Sequence, residues 1–171
     1  AGMVEVPGTA AGGYGIAAAI SADGGTVAGS AMLGSNIRVF RWTPAGPLQV
    51  VPIAAGWSSD GAHLSADGST VAGTQVLSDQ TRRAFRWVAG SAQSEVILGA
   101  INSGVQGLSP NGQTVVGTAT GLGVYRWSGF TGAQVICNLP AGWNGPNVYA
   151  TSADGTVVVG DSWRDDGAGH R

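Results

Sequence analysis

Apolar positions along this chain fall in short runs, each cut off by glycine or by a cluster of small polar residues. The segment around residue 70 shows the pattern in full. Gly61 to Ser65 leads into Ala66-Asp67-Gly68, Thr70 to Val76 follows, Ala84 to Val88 carries an aromatic pair, and Glu95 to Leu98 closes the unit. Runs of this length bounded by Gly, Asp and Ser predict four short β-strands. Segments such as Thr156-Val157-Val158-Val159 lack the alternation of a strand with one wet face, which predicts strands partly buried on both faces.

The same pattern returns at a fixed period. Ser21-Ala22-Asp23-Gly24, Ser65-Ala66-Asp67-Gly68, Ser109-Pro110-Asn111-Gly112 and Ser152-Ala153-Asp154-Gly155 start at intervals of 44, 44 and 43 residues, and a glycine (Gly29, Gly73, Gly117, Gly160) stands eight residues after each serine. A second marker keeps step: Phe40-Arg41-Trp42, Phe85-Arg86-Trp87 and Tyr125-Arg126-Trp127. Each Asp-Gly or Asn-Gly step reads as a hairpin turn, the side chain bonding backbone N–H groups ahead of it and the glycine taking positive φ. A parallel β-helix has shorter coils and needs no such hairpin. An antiparallel four-stranded sheet of roughly 40 to 50 residues is the size of a propeller blade. The fold class expected is therefore all-β: a β-propeller of about four repeats, in one repeat domain over 1–171, with repeats near 3–46, 47–91, 94–130 and 133–171 and the last incomplete.

The Ser-x-Asp-Gly turn resembles the Ser-Pro-Asp-Gly turn of many bacterial propellers, which implies that it joins the innermost strand to the second. The whole unit, Ser-Ala-Asp-Gly, Thr-Val-Ala-Gly, then Arg-Ala-Phe-Arg-Trp, resembles the bacterial extracellular HAF repeat over essentially the entire chain. The His-Ala-Phe triplet of that family stands here as Arg83-Ala84-Phe85, and less closely as Arg38-Val39-Phe40 and Gly123-Val124-Tyr125. The resemblance implies an exported protein, extracellular or on the bacterial cell surface. It also implies a strand order: Met3 to Val6 as an outermost strand, then inner, second, third and outermost strands three times, then an inner and second strand around Asp154. Two arrangements stay open, a slice of a larger array or a ring closed by its own N-terminal strand.

Composition narrows the function. Residues are 43% hydrophobic and only 11% charged, against roughly 25% charged in average domains, so polar contacts must come from Ser, Thr, Asn, Gln and backbone. Lysine is absent, and a net charge of −2 offers no footprint for nucleic acid or an anionic membrane. No apolar run approaches the roughly 20 residues that span a bilayer as a helix, so membrane insertion by this segment is not expected. Cys137 is the single cysteine, which excludes an intrachain disulfide, and its neighbours Val135 and Ile136 suggest a small buried hydrophobe.

Candidate chemistry is sparse. His63 and His170 lie in different repeats without metal or triad spacing, and His63 on an inner strand reads as packed or channel-lining. Asp23, Asp67 and Asp154 read as turn residues because Asn111 fills the same place. No alternating-Asp calcium loop occurs, so neither metal nor cofactor is expected. Arg41, Arg86 and Arg126, each between two aromatics, read as stacking or strand-pairing residues, and two glutamates, Glu5 and Glu95, are a poor basis for a glycosidase. No catalytic residue is assigned.

The remaining signal is aromatic. Tyr14, Trp57 and Trp143 stand in the loops leading into inner strands, on the face where propellers bind ligands. They are the candidate ligand-binding residues, although packing between adjacent blades is the favoured reading of repeated aromatics in a propeller. Trp163, Arg164, Asp165 and Asp166 form a more polar loop on the same predicted face. The expected function is that of a noncatalytic, exported surface or secreted repeat module, a carbohydrate-binding or adhesin-like scaffold for a glycan or surface protein. The alternative is self-assembly into a filament or oligomeric ring through unpaired strand edges, and a propeller glycoside hydrolase ranks below both.

Overall fold

The computed structural model describes residues 5–8, 14–54, 58–99 and 102–164. It contains strands and turns and, among the described residues, no helix. The first sheet is β1 (Gly15–Ile20), β2 (Val27–Leu33), β3 (Asn36–Trp42) and β4 (Gln49–Val50). The second is β5 (Ser58–Leu64), β6 (Thr70–Val76), β7 (Arg82–Val88) and β8 (Glu95–Val96). The third is β9 (Ser103–Leu108), β10 (Thr114–Ala119), β11 (Gly123–Ser128) and β12 (Gly132–Cys137), and β13 (Trp143–Thr151) pairs with β14 (Val158–Arg164) in the fourth. All pairings are antiparallel between consecutive strands. This is the expected order of inner, second, third and outermost strand, with the fourth sheet holding an inner and a second strand.

Each hairpin between inner and second strands is built by its repeated motif. In the first, the Ser21 hydroxyl donates to Asp23 Oδ1 at 2.6 Å, the Gly25 N–H donates to the same oxygen at 2.8 Å, and the Thr26 N–H donates to Ser21 Oγ at 2.8 Å. Asp67, Asn111 and Asp154 repeat the arrangement. Gly24, Gly68, Gly112 and Gly155 hold φ between 70° and 73°, where a side chain would be strained. The hydroxyl of Ser65, then the N–H and hydroxyl of Ser69, hold the Asp67 carboxyl down at about 2. Asp154 is likewise held at about 2, by the Ser152 hydroxyl first.

The glycine eight residues after each turn serine has a packing reason. A Cβ at Gly29, Gly73 or Gly117 would collide with an inner-strand carbonyl, of Ile16, Gly61 or Gly104, and with the ring of Phe40 or Phe85 or the hydroxyl of Tyr125 lying over it. Second strands therefore approach the inner strands closely, and the buried aromatics fill the space.

Neighbouring sheets stack in chain order, each inner strand packing on the second or third strand of the sheet before it. Between the first and second sheets the core joins Ala28, Val39 and Val51 to Val71, Phe85 and Trp87. Between the second and third it joins Ala72, Ala84 and Ile97 to Val115, Tyr125 and Trp127. A fully buried Val or Phe is worth roughly 1.5–3 kcal/mol, so these seams carry much of the stability. Val6 lies against Phe40 and Trp42 as Val51 and Ile97 lie against the next aromatic pairs. Its segment thus occupies an outermost-strand position, although Glu5 to Gly8 are coil and turn; Met3 and Val4 lie outside the described residues.

Polar contacts repeat across the seams as well. Arg41 Nε–H donates to the Gly68 carbonyl at 2.6 Å, Arg86 Nε–H to Gly112 at 2.9 Å, and Arg126 Nη1 to Gly155 at 3.5 Å. The recurring arginine is therefore chiefly a tie to the next sheet's turn, with Gln49, Glu95 or Gln134 on its own outermost strand as second partner. Stacking occurs once along this series, Arg86 over Trp127. Backbone links also join turn to turn, Ala22 N–H to the Ala66 carbonyl and Ala66 N–H to that of Pro110; Pro110, lacking an N–H, cannot extend the series.

Cys137 departs from expectation. It is exposed, because β12 is an outermost strand whose residues are largely uncovered.

Candidate functional site

The rim that carries the loops leading into inner strands also carries the turns between second and third strands. At the third and fourth sheets these elements enclose an open cleft of about 890 Å³. Trp143 stands at its edge. Pro140-Ala141-Gly142 forms a tight turn closed by Trp143 N–H to the Pro140 carbonyl at 3.0 Å, with Gly142 at φ 83°, the geometry of a type II turn. The indole is partly exposed, and the Arg164 guanidinium lies 5.8 Å from its ring centroid across the β13–β14 pair. Gly145, at φ 57°, leaves room for the Trp163 indole nitrogen, which a Cβ there would strike.

Asn102 organises the opposite wall. Its Oδ1 accepts the Arg82 N–H at 2.6 Å and its carbonyl accepts the Thr120 N–H at 2.8 Å, fastening the third-sheet turn to the second sheet. Gln106, Asn138 and Asn144 add further side-chain amides, and Gln106 Oε1 accepts the Val148 N–H at 3.3 Å. Arg82 lines the cleft, and among the described residues no Asp, Glu or His does.

Of the aromatic candidates, Trp143 lines this cleft and Tyr14 does not. Tyr14 is half-exposed at the start of β1, two whole sheets away from Trp143 along the stack, its carbonyl accepting the Met32 N–H. Trp57 lies outside the described residues, as do Asp165, Asp166 and His170. His63 is partly buried on β5 opposite Ala72, and burial pushes its imidazole below the usual value. Several described acids make their contacts at separate places: Asp23, Asp67 and Asp154 in the turns, Asp79 accepting the Thr81 N–H, Glu95 beside Arg86, and Asp161 accepting from Tyr149 and Asn147. Among the described residues no three His, Cys, Asp or Glu side chains gather as metal ligands would, and no helix is long and apolar enough to cross a membrane. The amides of Asn102, Gln106, Asn138 and Asn144 carry no sequence motif, and only their shared rim brings them together.

Successive antiparallel sheets stacked in chain order around this rim define a β-propeller. Solved structures agree: a protein assigned as TolB from Agrobacterium tumefaciens is similar over 89% of this chain and 55% of its own, with a TM-score of 0.63 and 17% identity. TolB from Acinetobacter baumannii is similar over 93% of this chain and 40% of its own (0.62, 14%), and an oligogalacturonate lyase in complex with manganese over 91% and 47% (0.60, 16%). The chain thus spans about half the length of these propellers. No family model matches the chain, and no curated protein matches it.

Proposed function

We propose that the chain is a noncatalytic binding scaffold whose rim cleft takes an uncharged ligand rich in hydroxyl groups, with glycans as the favoured class. The observation that carries this reading is the make-up of the cleft: one accessible indole, Trp143, among the side-chain amides of Asn102, Gln106, Asn138 and Asn144. An indole face suits the apolar face of a sugar ring, and amides both donate to and accept from its hydroxyls. Glycoside hydrolysis ordinarily needs two carboxyl groups flanking the bond, and the described residues of the cleft lining include none. A protein loop rich in Ser, Thr or Asn would suit the same groups.

Export to the bacterial surface or medium belongs to the same proposal. It is supported by the resemblance of the repeat units to the HAF repeat. Self-assembly is the second reading, favoured by the exposed Tyr149 on β13, Val159 on β14 and Val157 just before it.

A glycan array followed by tryptophan-fluorescence titration tests the primary reading. Sugars selected on the array should perturb emission from the wild type and bind Trp143→Ala at least about tenfold more weakly, the scale of one aromatic platform lost. Absence of any array response, together with concentration-dependent light scattering, would put self-assembly first.

A further inference from the structure

Each complete sheet places its aromatic-Arg-Trp strand against the second strand in one register. Gly29 pairs with Phe40, Gly73 with Phe85 and Gly117 with Tyr125, while Val27, Val71 and Val115 pair with Trp42, Trp87 and Trp127. In the fourth sheet the corresponding residues of β14 are Gly160 and Val158, and among the described residues β14 pairs with β13 alone. An aromatic side chain is the close neighbour of the other three glycines, whereas the atoms nearest a Cβ at Gly160 are all backbone, of Asn147 and Val148.

A second observation on a different strand points to the same place. Val51 on the edge of β4 and Ile97 beside β8 are 0% and 8% exposed, each covered by the aromatic pair of the following sheet. Ile136, like Val51 and Ile97, directly follows the residue paired with its sheet's first aromatic; it lies at a β-bulge that sets Cys137 opposite Val124, and it is 39% exposed. Its neighbour Val135 is no different from Val50 and Val96, at 43%, 41% and 40%, so the extra exposure begins at Ile136, where an aromatic pair of a following sheet would lie, and continues to Cys137.

We propose that the outer edge of β14, with Gly160 beneath it and Ile136 beside it, is a strand-acceptor site. Its occupant is an extended segment carrying an aromatic-Arg-Trp triplet, as in the third strand of another repeat of this type. The segment adds antiparallel to β14, its first aromatic opposite Gly160 and its Trp opposite Val158. Backbone hydrogen bonds supply affinity and the two ring sites supply selectivity, the physics of strand addition to a sheet edge. The site is separate from the rim cleft, so its test stands or falls independently of the glycan titration.

The test uses the 171-residue chain and a fluorescein-labelled nonapeptide with the sequence of residues 82–90, Arg-Arg-Ala-Phe-Arg-Trp-Val-Ala-Gly. Fluorescence polarisation should show saturable 1:1 binding, and amide exchange should slow across residues 158–164. A peptide with both aromatics replaced by Ala should bind at least about tenfold more weakly, the effect of two large rings left unburied. On the protein side, Ile136→Lys, at an already exposed position, should weaken binding without changing the melting temperature. No saturable binding, equal binding of the Ala-substituted peptide, or protection confined to strands other than β14 would overturn the proposal.

Discussion

Arg86 and Gly112 belong to different sheets, and the guanidinium Nε–H of the first donates to the carbonyl of the second at 2.9 Å. With Arg41 to Gly68 and Arg126 to Gly155, this makes the middle residue of the aromatic triplet the polar tie between successive sheets. Arg86→Met keeps the stem packed and removes the donor. Its unfolding midpoint in urea should fall by the equivalent of about 1–3 kcal/mol, the range for a charged donor lost from a part-buried carbonyl. Arg86→Lys should lie between the two, because a point charge replaces a fixed fork. An unchanged midpoint in Arg86→Met would remove the tie from the account.

Gly73→Ala tests the close approach of inner and second strands. The added Cβ meets the Gly61 carbonyl and the Phe85 ring, and neither can retreat inside a packed seam, so a loss of about 3 kcal/mol or more is expected, at the upper end for overpacking. Gly99→Ala, where nothing lies within 4 Å, is the matched control and should melt within a degree or two of wild type. Thermal melts followed by near-ultraviolet circular dichroism separate the two.

The turn carboxylates set an acid limit. Their folded values are lowered, to about 2 for Asp67 and Asp154, and lowered for Asp23, chiefly by the turn serine hydroxyl. A depressed carboxyl stabilises the fold above its unfolded value, near 3.9, and that contribution is lost as pH falls towards about 2. Replacing all three by Asn, the residue the third turn already uses at Asn111, should leave stability at pH 7 nearly unchanged. The loss of urea midpoint between pH 5 and pH 2.5 should be smaller in the variant than in the wild type. Equal pH dependence in both would contradict the hydrogen-bonding origin of the shifts.

Cys137 is open to reagents in the folded protein. A thiol-disulfide reagent such as dithiobisnitrobenzoate should titrate one equivalent under native conditions at a rate close to that in urea. Strong native protection would mean that β12 is covered in solution.

The turns, the strand order and the close-packed glycines were legible because each is written in residues adjacent in the chain: Ser, Asp and Gly within four positions, and a glycine at a fixed distance. The arginine tie was not, since its acceptor is a backbone carbonyl 26 to 29 residues away and backbone leaves no mark on composition. Cys137 was misread for a related reason. Val135 and Ile136 flag an apolar strand, but burial of an outermost strand depends on the sheet that follows. Trp143 was legible as an aromatic ahead of an inner strand, whereas Asn102, Gln106 and Asn138 converge only through stacking of sheets.

Pro110 lends the molecule an uneven grain. Because it has no amide hydrogen to pass on, the turn-to-turn backbone link present at the first two seams stops there, and the arginine contact at the third seam is also the longest of its kind. The third seam is thus held by fewer polar links than the first two, and amide exchange in β13 and β14 should run faster than in the inner and second strands of the earlier sheets. The cleft bordered by Asn102 and Trp143 spans this seam, so a bound ligand should slow that exchange.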